Sequence, residues 1–335
     1  LLEPGDVVLT ESPTYPINLG SFRAHGARVI GVPMDGEGMR VDLLEQALAR
    51  LAERGSPDGR HRVKLVYVIP DAQNPTGITM SAARRRALLR VAAAHGVPIV
   101  EDAPYRGVDY EGAAVPTVCG LAREEAENAA GGSAAGGGGA TVLHVGSFAK
   151  TIAPGLRAGY LVAPPRLIDT CVMLKQGEDF CTSGLVQLVV ARLLRDGTLE
   201  ATVERLRTVQ GRKLATMLEA LETHLGDVPG ITWTRPRGGL FVWLTLPAGS
   251  DTDALLERAI AERVAFIPGP YFYPPETLDE EGHAHAADPP THELRLNFSD
   301  PAEGRIGDGI ATLARLVRQE RSARPAQAAR PAHRS

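Results

Sequence analysis

The first 160 residues alternate short apolar runs with amphipathic segments of helical length, and this alternation constrains the fold most. Residues 7–10 form a short strand, followed by a helix expected over 15–25 and a second strand at 28–32. Val41 opens a helix with Leu43, Leu44, Ala47, Leu48 and Leu51 on one face. Residues 63–69 form a β-branched strand ending at Pro70. After a loop, Ser81 caps a helix that runs to His95, with Gly96 at its C′ position. Further strands fall at 98–101, 141–145 and 158–162. Such a chain folds as an α/β protein, with a mostly parallel central sheet and helices on both faces. Ligands of such sheets lie beyond the carboxyl ends of the strands. Asn74, Asp102 and Lys150 all fall just past strand ends.

Beyond residue 165 the pattern changes. Helices are expected at 165–175, 184–196 and 198–224. A smaller α+β unit follows, with strands at 231–234, 240–246, 264–268 and 293–298 and helices at 251–262 and 301–320. We therefore expect a large domain over 1–210, a small C-terminal α+β domain over 211–320 and a disordered tail over 321–335. Residues 124–140 are Gly/Ala-rich and read as a flexible surface insertion in the large domain.

The segment from His144 to Tyr160 carries the densest chemistry. Lys150 follows a strand end, with Ser147 three residues before it and Arg157 seven after. A nucleotide-binding P-loop would need glycine immediately before the lysine, where Ala149 stands. Ser147-x-x-Lys150 also fits a serine-nucleophile motif, but its S-D-N and K-T-G companions do not occur. An ordinary surface lysine in a Gly-rich loop remains open on these residues alone. Asn74, between Gln73 and Pro75, could merely cap a turn, and Asp102 could merely cap a helix.

Taken together, these groups describe one ligand: a pyridine ring bearing an aldehyde, a phenolic oxygen and a phosphate. Lys150 would supply the amine, and Asp102 would pair with the ring nitrogen. Asn74 and Tyr105 would bond the phenolic oxygen, Ser147 and Arg157 would hold the phosphate, and Tyr15 would lie on the ring face.

Composition narrows the alternatives. The net charge is −4 and no basic block precedes the tail, so nucleic acid is not expected as a partner. No apolar run reaches the length of a membrane span. Cys119, Cys171 and Cys181 form neither a disulfide framework nor a metal pattern, and the nine histidines are scattered. No metal is assigned, and a cytoplasmic protein is expected.

The motifs Q-N-P-T-G at 73–77, E-D-x-x-Y at 101–105, G-S-F-x-K-T-x-x-P-G-L-R-x-G at 146–159 and R-L-N-F-S at 295–299 resemble those of the fold-type I, class I/II aminotransferases. The similarity is strongest to the 2-aminoadipate and kynurenine-type transaminases. The resemblance implies pyridoxal 5'-phosphate as cofactor, with Lys150 as the Schiff-base lysine and Asp102 at the pyridine nitrogen. It implies Asn74 and Tyr105 at the phenolic oxygen, Ser147 and Arg157 on the phosphate and Tyr15 as the stacking aromatic. It further implies that Arg295, with Asn74, binds the substrate. Amino acid and 2-oxo acid substrates and a homodimer follow from the same resemblance.

Members of the family carry an N-terminal arm and a Gly-Ser-Gln-type phosphate loop upstream of the point matching Leu1, so an N-terminally truncated member is expected. Two other functions compete with the transaminase. One is the aminotransferase-like effector domain of a winged-helix transcription regulator. The other is a fold-type I lyase or decarboxylase.

Overall fold

The computed structural model describes residues 2–53, 62–112, 115–129 and 139–328. Along the chain, β1 (Val7–Ser12), α1 (Pro16–Ala24), β2 (Arg28–Asp35), β3 (Gly38–Met39), α2 (Val41–Glu53), β4 (Val63–Val68) and α3 (Ala82–His95) come first. They are followed by β5 (Ile99–Asp102), α4 (Val118–Ala129), β6 (Val142–Ser147), β7 (Gly159–Val162), α5 (Pro165–Asp179), α6 (Gly184–Arg195) and α7 (Thr198–Leu225). The chain ends with β8 (Thr232–Trp233), β9 (Phe241–Thr245), α8 (Thr252–Ala261), β10 (Ile267–Pro268), β11 (Glu276–Leu278), β12 (Ala284–Ala286), β13 (Glu293–Asn297) and α9 (Glu303–Ala328).

The chain divides into two compact units. One comprises 1–208, 236–239 and 272–288, the other 209–235, 240–271 and 289–335. The boundary departs from the expected single break near 210 because 272–288 return to the first unit. There β11 pairs in parallel with β2, and β12 pairs antiparallel with β11. Three-residue strands leave too little periodicity to be read from sequence. The expected tail also begins as helix, since α9 continues to Ala328; residues 329–335 lie outside the described residues. Of the expected insertion, 124–129 are the end of α4, and 130–138 lie outside the described residues.

The first unit's sheet runs β12-β11-β2-β1-β4-β5-β6-β7. Strands β2, β1, β4, β5 and β6 are parallel, and β7 closes the edge antiparallel. All six residues of β1 are buried, as expected of a central strand covered on both faces. Leu43, Leu44, Ala47 and Leu48 of α2 and Leu88, Leu89 and Ala92 of α3 pack into one core with Val7, Leu9, Val66 and Val68. The Ser81 hydroxyl accepts from the Arg84 amide, and Gly96 ends α3 in the left-handed region.

Arg85 of α3 is wholly buried and holds the end of β4 to its surroundings. Its guanidinium donates to the carbonyls of Pro70, Met80 and Pro116 at 2.8–3.0 Å and to Asp71 Oδ1 at 2.7 Å. Arg85→Met should cost about 3–5 kcal/mol, because it removes the four hydrogen bonds of a buried guanidinium and leaves Asp71 with only Arg106, at 3.7 Å, as a cation. Denaturant titration of the two proteins measures this. A change below about 1 kcal/mol would refute the pinning role.

The second unit pairs a four-stranded sheet, ordered β10-β13-β9-β8, with helices that include α8 and α9. Its neighbouring strands are antiparallel, with Arg295 of β13 opposite Trp243 of β9.

Candidate active site

Parallel register sorts the polar residues of the strands onto two faces. Tyr67 of β4 pairs with Val100 of β5, and Asp102 lies two residues further along the same face, opposite Val145 of β6. Glu101 and His144, also paired, take the other face. The buried Glu101 carboxylate meets His144 Nδ1 at 2.9 Å and accepts from the amides of Val118 and Cys119 at the start of α4. Burial opposes its charge, but these partners outweigh burial and hold it below the usual carboxylate range.

Asp102 ends β5 with its Oδ2 doubly engaged. The Tyr67 hydroxyl donates to it at 2.6 Å and Asn18 Nδ2 at 3.5 Å. Among the described residues no hydrogen bond reaches Oδ1. Burial pushes the carboxyl upward, and the two donors and nearby His144 oppose it. Tyr105, three residues on, is buried, and its carbonyl accepts from the Val108 amide.

The loop after β4 carries Asn74, which is buried. Gln73 and Thr76 close this turn. Gln73 Oε1 accepts from the Thr76 amide and hydroxyl, and its Nε2 donates to Pro13 O and Glu11 Oε2. These bonds fix Asn74 to the end of β1, from which Tyr15 leads into α1. Tyr15 thus shares a segment with Asn18, the residue that reaches Asp102.

Past β6, a turn closed by bonds from the Ile152 and Ala153 amides to the Phe148 carbonyl presents Lys150, which is exposed. Ser147 pairs with Gly159 across the β6–β7 hairpin, and the Phe148 amide bonds the Ala158 carbonyl. Arg157 adopts φ +50°, a left-handed conformation uncommon outside glycine, and this turns the chain back beside Ser147. Gly146 is required because the Tyr160 ring lies where its Cβ would stand. The fold therefore collects Tyr15, Asn74, Asp102, Tyr105, Ser147, Lys150 and Arg157 at strand ends or the loops just after them. Arg295 belongs to the second unit, where its guanidinium lies 3.9 Å from the Phe241 ring centroid.

The other three lysines are engaged elsewhere. Lys64 pairs with Asp6 at 3.5 Å, Lys175 with Asp179, and Lys213 donates to the Ser299 carbonyl. The described residues include one group with metal-ligand spacing, Asp279, Glu281 and His283. There Asp279 Oδ1 already accepts the amides of Glu281 and His283, which closes the β11–β12 turn.

Glu11, fully buried behind the Asn74 loop, was not legible as a site residue. Burial pushes its carboxyl from 4.5 up to about 8, against donors from the Ile69 amide and Gln73. The folded state thus holds a proton that the unfolded chain releases near 4.5. This contribution is complete below that value and is lost as pH rises through about 8, at up to about 1.4 kcal/mol per pH unit. Glu11→Gln should flatten this decline in urea titrations at pH 5–9. An unchanged slope would show that Glu11 is ionised in the fold.

A family profile described as aminotransferase class I and II matches residues 1–284. The chain belongs to this family. The aminotransferase is 35% identical over 319 residues to aromatic-amino-acid aminotransferase 1 of Thermococcus litoralis, spanning 95% of this chain and 68% of that protein. Its fold matches the crystal structure of LysN, the α-aminoadipate aminotransferase of Thermus thermophilus, complexed with N-(5'-phosphopyridoxyl)-L-leucine. The TM-score is 0.81 at 33% identity, over 96% of this chain and 73% of that one. An uncharacterized HTH-type transcriptional regulator of Bacillus subtilis, YdfD, is 31% identical over 95% of this chain but only 58% of its own length.

The regulator reading is therefore not favoured. The aminotransferase is a fold-type I enzyme that uses pyridoxal phosphate. Its residues fit that cofactor: a carboxylate with one oxygen that no described residue bonds, for a pyridinium, an exposed amine, and a serine and an arginine at the β6–β7 connection.

Proposed function

We propose that the enzyme moves an amino group between an α-amino acid and a 2-oxo acid, with Lys150 and Asp102 as catalytic residues. The observation that carries this reading is the Asp102 carboxylate, bonded by two donors on one oxygen and by none of the described residues on the other. Pyridoxal phosphate, when bound, supplies an electron-poor ring that stabilises negative charge at the substrate α-carbon. Lys150 Nζ would hold the cofactor through its aldehyde carbon and would serve as the base that moves the proton at the substrate α-carbon. Asp102 Oδ1 holds the proton at the ring nitrogen. Asn74 and Tyr105 orient the phenolic oxygen, Ser147 and Arg157 bind the phosphate, and Tyr15 covers the ring. Arg295 would bind the substrate carboxylate as an ion pair, and Asn74 is the other residue assigned to the substrate.

We read the enzyme as a homodimer. Support comes from Phe180, Leu185 and Leu188, large apolar side chains that are 87%, 73% and 70% exposed around the α5–α6 connection. Three free cysteines support a reducing, cytoplasmic setting. We further propose that the unit built from 1–208, 236–239 and 272–288 acts as the cofactor domain and the other as the small domain.

The test is to incubate the enzyme with pyridoxal phosphate, an amino donor and 2-oxoglutarate or pyruvate. Donor keto acid should form one-for-one with the new amino acid. Release of carbon dioxide or an elimination product with the 2-oxo acid unconsumed would reassign the reaction to a decarboxylase or lyase.

A further inference from the structure

We propose that Tyr67 and Asn18 are a positioning pair that keeps Asp102 ionised and leaves its Oδ1 for the ring nitrogen, so that the Tyr67 hydroxyl sets the pH range in which that nitrogen stays protonated. The inference rests on the role given to Asp102 above.

Both donors converge on Oδ2, and they also bond each other: Asn18 Nδ2 donates to the Tyr67 hydroxyl at 2.6 Å. The three groups form a relay in which the amide polarises the phenol and the phenol polarises the carboxylate. Tyr67 cannot turn away, because it is 2% exposed and its ring meets Phe22 edge-on at a centroid distance of 5.5 Å. Asn18 and Phe22 lie one helical turn apart on α1, so a single face of that helix supplies both the donor and the wall. Burial and the Asp102 charge push the Tyr67 phenol well above its usual range, so it stays a donor wherever the enzyme works.

Distance ranks the two donors. At 2.6 Å the phenol makes a short bond to a charged acceptor, whereas 3.5 Å is the outer limit for the amide. The other titratable group acting on Asp102 is His144 of β6, which favours its charge; the Asp102 charge in turn helps keep Glu11 of β1 protonated. Without the Tyr67 hydroxyl, burial would be opposed only weakly. Asp102 would take up a proton and could no longer hold a cationic ring.

The experiment loads the full chain with pyridoxal phosphate labelled with 15N in the ring and follows the 15N chemical shift against pH. Native protein, Tyr67→Phe and Asn18→Ala are compared, with thermal unfolding of each and peptide mapping of the adduct trapped by borohydride. In Tyr67→Phe the midpoint for losing the ring proton should fall by about one to two pH units, the worth of one charge-assisted hydrogen bond. It should fall less in Asn18→Ala, and both variants should still yield the adduct at Lys150. A purely structural pair would lower the unfolding temperature and leave the midpoint where it was, which overturns the proposal. So does a larger fall in Asn18→Ala than in Tyr67→Phe. If Tyr67→Phe does not fold, an unmoved midpoint in Asn18→Ala overturns the relay. Native protein giving no adduct at Lys150 would instead overturn the underlying site assignment, and the inference with it.

Discussion

Lys150→Ala is expected to abolish transamination while leaving the fold unchanged. Lost proton transfer alone accounts for about 10²–10⁴ in rate, and loss of the covalent attachment adds to it. The side chain is exposed on a turn closed by backbone bonds, so stability should stay within about 0.5 kcal/mol of native. The visible absorbance of the bound cofactor and the borohydride-trapped adduct should both disappear. The chain has only three other lysines, each bonded to a carboxylate or carbonyl, which makes the outcome sharp. An adduct persisting in the variant and mapping to Lys64, Lys175 or Lys213 would sink the assignment.

Asp102→Ala is expected to retain cofactor yet slow turnover by about 10²–10³, the usual cost of removing one preorganised charge partner. Lys150, Ser147 and Arg157 are all untouched by the change, so binding should persist. The Tyr67 and Asn18 side chains would keep their mutual bond at 2.6 Å, which limits collapse around the deletion. Stopped-flow measurement of the amino-acid half-reaction, at saturating cofactor, separates this from a folding defect. Half-reaction rates equal to those of native enzyme would remove Asp102 from the catalytic residues.

The central strands and the long helices were legible because buried β-branched runs, the apolar face of α2 and the Ser81 cap and Gly96 C′ residue of α3 leave local signatures. The placement of the motif residues just past strand ends was legible because their spacing is tied to those ends. Tyr67 and Asn18 were not. Each is an unremarkable residue in its own element, a tyrosine inside a strand and an asparagine on a short helix. Their convergence on Asp102 exists only once β4 and β5 are aligned in parallel register. Glu11 was hidden for the same reason, since its environment is built by the Ile69 amide and by Gln73, 62 positions away. Strand β11 was missed because three residues carry no period.

That short strand has a consequence for how the molecule is made. Besides the two-residue β3, which pairs with its last residues, β2 is flanked on its outer side by β11, and that pairing is fastened by a two-pronged bond between Arg28 and Glu276, 248 positions apart. During synthesis the Ile30–Gly31 edge of β2 therefore stays bare until β11 has emerged. Unpaired backbone on a parallel sheet is a template for association with other chains. Strand β2 is thus exposed to mispairing on the ribosome, and the later β11–β12 hairpin acts as the sheet's own stopper.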